Sequence, residues 1–213
     1  GTITPLSDYT FRTFGGTPAE GSGIIASFDG SAVLTNSTVS GNVGDGVTAS
    51  DNGSVTANFS TIANNSGNGL TAGAGAPVGM VTTTSTITAG NTGNDCDGDI
   101  TSNGYNLIGD ITGCTFTPST GDNWGAVGGP LDPLLGPLQN NGGWTSTHAI
   151  DQSSPAYNAG GSAAPGEVCE NVTRDQIATP RPSGIACDTG SFEADVFGPL
   201  QALINAAPPF TTI

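Results

Sequence analysis

The apolar residues in the first half of the chain recur with a long period that fits neither an amphipathic helix nor an isolated strand. Three similar phrases carry this period, at Leu34–Asn42, Ala57–Asn65 and Thr82–Asn91, and each phrase ends in asparagine. The three asparagines are 23 and 26 residues apart. A repeat of this length is typical of a solenoid, in which each repeat forms one coil and stacks on the next.

Aligning the repeats predicts which side chains stack on one another from coil to coil. Neighbouring coils lie about 4.8 Å apart, so each aligned position becomes a column of side chains. Three apolar columns are predicted to face the interior: Ile24, Val47, Leu70 and Cys96; Val39, Ile62 and Ile87; Ala32, Val55 and Met80. A fourth column consists of amides that can donate to one neighbour and accept from the other: Asn42, Asn65 and Asn91.

These columns predict an all-β chain, a right-handed parallel β-helix of about four coils with an irregular, disulfide-stapled C-terminal module. Helix is disfavoured because the segments are rich in Thr, Ser, Val, Gly and Asn. We divide the chain into a strand-like N-terminal segment (residues 1–20), the coils (21–114), a C-terminal module packed on the solenoid (115–196) and an apolar tail (197–213). A solenoid this short exposes unpaired backbone at both ends unless something caps it.

The charge of the chain narrows its possible partners. The 213 residues include 18 acidic residues and only three basic ones, all arginine, which gives a formal net charge of -15. Such a chain has almost nothing to neutralise a phosphate backbone, which argues against nucleic acid as a partner and against anionic membrane surfaces. No apolar run reaches the length of a membrane span.

The four cysteines form two pairs with the same spacing, Cys96 with Cys114 and Cys169 with Cys187. A structural metal site would need CxxC clusters with nearby histidine, whereas this sequence has no CxxC and a single histidine. We therefore interpret the pairs as two disulfides. They indicate an extracellular location, because the cytosol keeps thiols reduced.

Several motifs resemble known surface proteins. The phrase Asn36–Asn42 resembles the repeat of bacterial right-handed β-helix surface proteins, including the polymorphic outer-membrane type. An ordered run of motifs resembles the choice-of-anchor Q domain, and the match covers roughly residues 21–193. Its motifs are Gly104–Asp110, Cys114, Asp132–Gln139, Asn141–Gly143, Thr147–Ala149, Ser154–Ala156, Asp175-Gln176, Pro180–Pro182 and Cys187–Glu193.

The resemblance implies an extracellular β-helix protein of the cell surface and no established enzymatic activity. The chain departs from the family pattern at two places. Ile177 and Ala178 stand where the family usually has Arg-Gly, and Asn158 stands where it usually has aspartate. Family members often end in a surface anchor, and here we expect a short tail in its place.

Asp95, Asp97 and Asp99 alternate around Cys96 and are the candidate metal ligands. Clustered carboxylates can bind Ca²⁺, which takes six to eight oxygen ligands. The spacing begins like an EF-hand loop, but Asn106 stands where that loop needs glutamate. The alternative is a solvated acidic turn held by a disulfide. No other cofactor is predicted.

The sequence contains no set of residues typical of an enzyme. His148 has no Gly-x-Ser-x-Gly nucleophile motif to accompany it, so we interpret it as a hydrogen-bonded structural residue. A β-helix lyase would need a basic residue beside Ca²⁺-binding carboxylates, whereas Arg174 and Arg181 lie in the C-terminal module. We expect no catalysis, and a secreted β-helix that binds or cleaves carbohydrate is the alternative.

The leading hypothesis is an extracellular structural or adhesive protein whose subunits join end to end into a fibre. Tyr9, Phe11 and Phe14 alternate with polar residues, so that this segment could donate a strand to a neighbour. A head-to-tail contact that does not close produces a filament. The expected partners are copies of this chain or another cell-surface component. The alternative is that both termini cap their own solenoid.

Overall fold

A computed structural model describes residues 2–3, 21–73, 78–162 and 164–195 of this chain. The proposed donor residues Tyr9, Phe11 and Phe14 lie outside these ranges, as does the apolar tail from residue 197 onward, and their roles stay predictions. The described residues contain strands, turns and bends but no helix. Accordingly, this part of the chain offers no helix that is long and apolar enough to cross a membrane.

Sixteen strands follow one another along the described residues. They are β1 (Thr2–Ile3), β2 (Ile24–Ala26), β3 (Ser31–Thr35), β4 (Thr38–Ser40), β5 (Val47–Ala49), β6 (Ser54–Asn58), β7 (Thr61–Ala63), β8 (Leu70–Ala72), β9 (Met80–Thr84), β10 (Ile87–Ala89), β11 (Cys96–Ser102), β12 (Leu107–Ile108), β13 (Cys114–Thr117), β14 (Asn123–Trp124), β15 (Leu138–Gln139) and β16 (Thr147–His148).

The strands of each coil belong to three faces in which all neighbours are parallel. The long face consists of β1, β3, β6, β9, β11 and β13, and the short face of β2, β5, β8 and the start of β11. The covered face consists of β4, β7, β10, β12 and β14, whereas β15 and β16 form a separate antiparallel pair. The predicted fold class is therefore confirmed as an all-β parallel solenoid of about four coils.

The interior of the solenoid contains the first predicted column in register. Ile24, Val47, Leu70 and Cys96 are paired from coil to coil, as the alignment predicted. This column lies in one continuous apolar core together with residues of the long face. Fully burying one such aliphatic side chain contributes about 2 kcal/mol, so the stacked column stabilises the packing of one coil on the next.

The other two predicted apolar columns are wrong by one residue in the third coil. Val55 pairs with Val81 instead of Met80, which is 66% exposed. A shift of one residue moves a side chain to the opposite side of the sheet. The spacing of 26 residues between the second and third asparagines sets this register, because their hydrogen bonds align the two coils.

The same shift changes the covered face. Ile62 pairs with Thr88, so Thr88 faces the interior and Ile87 faces outward. Ile87 is nevertheless buried, because the C-terminal module lies against it. This second apolar cluster consists of Ile87, Ala89, Leu107, Ile150, Ala156 and Ala194. The covered face is thus buried on both sides, which explains why β4, β7 and β10 are buried at every position.

A column of left-handed residues turns the chain from the long face to the covered face. Its members are Asn36, Phe59, Ser85 and Tyr105, with φ of 49°, 44°, 47° and 61°. Such a conformation costs a non-glycine residue on the order of 1 kcal/mol. Hydrogen bonds between coils stabilise it: the N–H groups of Asn36 and Phe59 donate to carbonyls of the next coil at 3.2 and 3.0 Å. At this corner, Phe59 projects into the C-terminal module, where it contacts a disulfide.

Both predicted disulfides are present. Cys96–Cys114 links β11 to β13 in successive coils, and Cys169–Cys187 lies within the C-terminal module. Each closes a segment with a sequence separation of 18 residues. A disulfide that closes a loop of this size lowers the conformational entropy of the unfolded chain. It therefore contributes roughly 3 kcal/mol to the free energy of unfolding.

Candidate functional site

The predicted asparagine column forms a continuous hydrogen-bonded ladder. Asn42 Nδ2 donates to Asn65 Oδ1 at 2.8 Å, and Asn65 Nδ2 donates to Asn91 Oδ1 at 2.9 Å. The backbone N–H groups of Asn42 and Asn65 donate to the same two oxygens. Asn91 then donates through its N and Nδ2 atoms to Asp95 Oδ1, both at 3.0 Å. The ladder therefore ends on a carboxylate.

The three candidate calcium ligands have different surroundings. Asp95 is buried, and its Oδ2 accepts a hydrogen bond from the backbone N–H of Asp110 at 2.9 Å, so both oxygens are engaged. Burial raises the pKa of Asp95, although these hydrogen bonds oppose the shift. On β11, Asp97 is half-buried and Asp99 is exposed. Across the described ranges, no three His, Cys, Asp or Glu side chains are grouped so that they could hold a metal ion. Asp95 is thus the terminal acceptor of the ladder.

A second polar ladder runs along the corner between the long face and the covered face. The N–H groups of Ser37 and Ser60 approach the hydroxyls of Ser60 and Thr86 at 3.4 and 3.5 Å. The N–H of Thr86 donates to Asn106 Oδ1 at 3.0 Å, and that of Asn106 donates to Asp122 Oδ1 at 2.8 Å. This ladder also ends on a carboxylate, and sequence reasoning did not identify Asp122.

Arg181 is buried at the centre of the C-terminal module. Its Nη1 donates to the carbonyl of Asp188 at 2.7 Å and its Nη2 to the carbonyl of Gly190 at 2.6 Å. Nη1 also lies 3.2 Å from Glu193 Oε2. The guanidinium carbon is 4.8 Å from the centroid of the Phe59 ring, a distance typical of a cation–π contact. Arg181 therefore connects the module to the solenoid.

Three buried carboxylates surround Arg181, and each accepts backbone hydrogen bonds. Glu193 accepts from the N–H of Ser183 at 2.7 Å and from that of Asp188 at 2.9 Å. Asp175 accepts from the N–H of Glu193 at 2.8 Å, and Asp188 accepts from that of Ala194 at 2.6 Å. We name this group the Arg181 cluster (Asp175, Arg181, Asp188 and Glu193). Its hydrogen bonds fix the path of the backbone and thereby stabilise the fold of the module.

Burial raises the pKa of all three carboxylates in the Arg181 cluster, to about 7 for Glu193. Arg181 and the backbone donors favour the charged forms, but one cation does not compensate three desolvated anions. The members of the cluster come from three motifs that carry the family resemblance: Asp175-Gln176, Pro180–Pro182 and Cys187–Glu193. The charged residues of these motifs therefore have a structural role, because they hold the C-terminal module together.

The raised pKa of Glu193 predicts a pH-dependent stability. The folded state binds this proton more tightly than the unfolded chain, whose ordinary value is 4.5. The resulting stabilisation is present in full below about pH 4.5 and is lost as the pH rises through about 7, a total of roughly 3 kcal/mol. We expect the free energy of unfolding of the wild type to rise more on acidification from about pH 8 to 4.5 than that of Glu193→Gln.

Denaturant titration of both proteins at several pH values measures this difference. The comparison also removes the contribution of His148, whose pKa is lowered by burial and which therefore loses stabilisation as the pH falls. His148 is present in both proteins, so its effect cancels. Parallel pH profiles for the wild type and Glu193→Gln would contradict the prediction.

His148 is a hydrogen-bonded structural residue in this fold. Its Nδ1 lies 2.7 Å from the carbonyl of Gly136 and its Nε2 lies 2.8 Å from the hydroxyl of Ser40. The neutral ring, which the lowered pKa favours, donates from Nδ1 and accepts at Nε2. It thus attaches the β15–β16 pair to β4 of the covered face.

Within the described ranges, the outer strands at both ends of the solenoid are paired on one side only. Among the described residues, β1, β2 and β4 each have one neighbour at the first coil, and β13 and β14 each have one neighbour at the last. We name these sets the first-coil edge and the last-coil edge. Phe28, near the first-coil edge, is 82% exposed, and Trp124 in β14 is 40% exposed. Phe116 of β13 packs edge-on against Trp124, with 6.1 Å between ring centroids.

No protein-family profile, curated protein or solved structure matches this chain. The resemblance to the choice-of-anchor Q domain therefore depends on the sequence motifs, and the geometry of the described residues carries the functional argument.

Proposed function

We propose that this chain is an extracellular structural protein of the cell surface, and that its copies join end to end through the first-coil and last-coil edges. The observation that carries the proposal is that every pair of neighbouring strands in the solenoid is parallel. The last-coil edge of one copy therefore presents the hydrogen-bonding pattern that the first-coil edge of the next copy accepts. Such a contact is heterologous and does not close on itself.

The N-terminal strand supports this geometry. Thr2 and Ile3 of β1 pair in parallel with Ser31 and Ala32 of β3, in the position that a strand of a preceding coil would occupy. The first coil thus accepts an added parallel strand beside β3. Exposed edges of this kind promote association unless they are protected.

The positions of the titratable groups favour a structural role over an enzymatic one. His148, Asp175, Asp188 and Glu193 are buried and engaged in hydrogen bonds, mostly with the backbone. The two disulfides and the family resemblance support an extracellular location.

Trp124 offers a direct test of this assembly. Aromatic residues at the centre of an interface often contribute 2 kcal/mol or more to binding. We expect Trp124→Ala to raise the protein concentration needed for assembly roughly tenfold or more, as measured by sedimentation velocity. Trp144 is the matched control, since it is 97% exposed and lies outside both edges.

Trp144→Ala is expected to assemble like the wild type. If Trp124→Ala assembled at the same protein concentration as the wild type, the last-coil edge would not be part of the proposed contact. A wild type that sediments as a single chain at every concentration would refute end-to-end joining altogether.

A further inference from the structure

A groove runs along one side of the solenoid, between the long face and the C-terminal module. Its floor is a column of polar residues, one from each coil, and its other side is formed by two valines beside Cys169. The groove has a volume of about 390 Å³, within the range of small-ligand sites. We name it the Thr/Asn groove, and its lining is Thr35, Asn58, Phe59, Thr84, Asn103, Val168 and Val172.

The polar residues of the groove form a regular row. Thr35, Asn58 and Thr84 are paired in register at the ends of β3, β6 and β9. Asn103 continues the row one coil further, because it follows Ser102, which pairs with Thr83. With about 4.8 Å between coils, the row spans about 14 Å parallel to the axis of the solenoid.

These four side chains have no hydrogen-bond partner within the described ranges, unlike the polar columns beside them. The neighbouring ladder from Ser37 to Asp122 is bonded from coil to coil. By contrast, the hydroxyls of Thr35 and Thr84 and the amides of Asn58 and Asn103 line the groove without a hydrogen bond to any other described residue. Each amide offers both donors and an acceptor, and each hydroxyl offers one donor and two acceptor lone pairs.

The chemistry of the lining selects for a neutral ligand. The residues that line the groove include no charged side chain, and a protein with a net charge of -15 repels anionic polymers. The two valines supply an apolar wall. A ligand that fits must combine many hydroxyl groups with apolar C–H surfaces.

The backbone of the groove disfavours an extended peptide. The N–H groups of Asn36 and Phe59, beside the row, already donate to carbonyls of the next coil. The carbonyls of Thr35, Asn58 and Thr84 accept from the hydroxyls of Ser37, Ser60 and Thr86. A peptide would find no open strand edge to pair with here, so only side chains are available for recognition.

We propose that the Thr/Asn groove binds a neutral oligosaccharide that lies along the row of Thr35, Asn58, Thr84 and Asn103. Sugar hydroxyls exchange hydrogen bonds with the amides and hydroxyls, and the C–H faces of the sugar rings pack on Val168 and Val172. The site is independent of end-to-end assembly, because it lies on the side of the solenoid and includes no residue of the first-coil or last-coil edge.

Isothermal titration calorimetry with a panel of defined oligosaccharides tests the proposal. The neutral probes are cellohexaose, xylohexaose and mannohexaose, the anionic comparison is hexagalacturonate, and an extended neutral hexapeptide represents the peptide class. We expect at least one neutral oligosaccharide to bind. We also expect Asn58→Ala and Asn103→Ala each to weaken that binding by roughly fivefold or more.

Thr56→Ala is the matched control, because Thr56 lies on the same strand as Asn58 but does not line the groove. It is expected to bind like the wild type. Circular dichroism verifies the fold of each variant, and the exposed Asn103 provides a second test if Asn58→Ala fails to fold. Binding of no neutral probe, binding of only hexagalacturonate or only the peptide, or equal binding by folded groove variants and the wild type would overturn the proposal.

Discussion

Replacing Arg181 with leucine is expected to lower the free energy of unfolding by roughly 3–5 kcal/mol, among the largest effects of any single substitution in this chain. The leucine would leave Asp175, Asp188 and Glu193 buried without their counter-charge. It would also remove two hydrogen bonds to backbone carbonyls, at 2.6 and 2.7 Å. Finally, the Phe59 ring would lose the cation that lies against it.

Arg174→Leu is the control for this substitution. Arg174 is exposed, and its Nη1 donates a hydrogen bond to the carbonyl of Ala178 at 2.7 Å. We expect this variant to lose no more than about 1 kcal/mol. Denaturant unfolding with both disulfides intact measures the two values. A stability of Arg181→Leu within about 1 kcal/mol of the wild type would contradict the role assigned to the Arg181 cluster.

Asn65→Ala is expected to cost roughly 3–5 kcal/mol, because Asn65 is the central member of the asparagine ladder. Its Oδ1 accepts from both the N–H and the Nδ2 of Asn42. Its Nδ2 donates to Val39 O and to Asn91 Oδ1. Alanine would leave these buried groups without partners, and each buried unsatisfied polar group costs about 1–3 kcal/mol.

The neighbouring Asn64 provides the control. It is exposed and has a φ of 55°, which glycine adopts without strain. Asn64→Gly is therefore expected to change the free energy of unfolding by about 0.5 kcal/mol or less. Similar losses for Asn65→Ala and Asn64→Gly in denaturant unfolding would show that the ladder contributes little to stability.

The coils were predictable from the sequence because their contacts repeat at a constant spacing. The asparagine period indicated both the solenoid and the column of Ile24, Val47, Leu70 and Cys96. The alignment failed only in the third coil, where it matched Ser-Thr-Ile at residues 85–87 to the same three residues at 60–62 instead of matching the asparagines. An extra residue in the third phrase placed Ile87 and Met80 in the interior, whereas the structure has Thr88 and Val81 there.

The Cys169–Cys187 disulfide of the C-terminal module was predictable from the sequence, whereas the internal chemistry of the module was not. Contacts such as Thr38 with Gln176 join residues 138 positions apart, and no periodicity connects them. Arg181 was recognised only as a motif residue of the C-terminal module, and Phe59 was given no role. Their contact depends on the left-handed corner at Phe59, for which a phenylalanine gives no sequence signal.

The role of Asp95 illustrates a general limit of sequence reasoning. A carboxylate beside other carboxylates predicts a cation site, but a carboxylate is also a strong acceptor for the donors at the end of an amide ladder. The spacing of the aspartates cannot separate the two roles. In the structure Asp95 accepts hydrogen bonds from Asn91 and Asp110, which is the second of these roles, and the calcium site stays a prediction.

Electron microscopy of the wild-type protein tests the central claim, end-to-end joining of the solenoids, most directly. The measurement is made in about 1 M sodium chloride, where the Debye length is about 3 Å and the charge of -15 is screened. The account predicts filaments one solenoid wide with an axial spacing of about 4.8 Å, continuous from one copy to the next. Discrete particles of single-chain size under these conditions would contradict it.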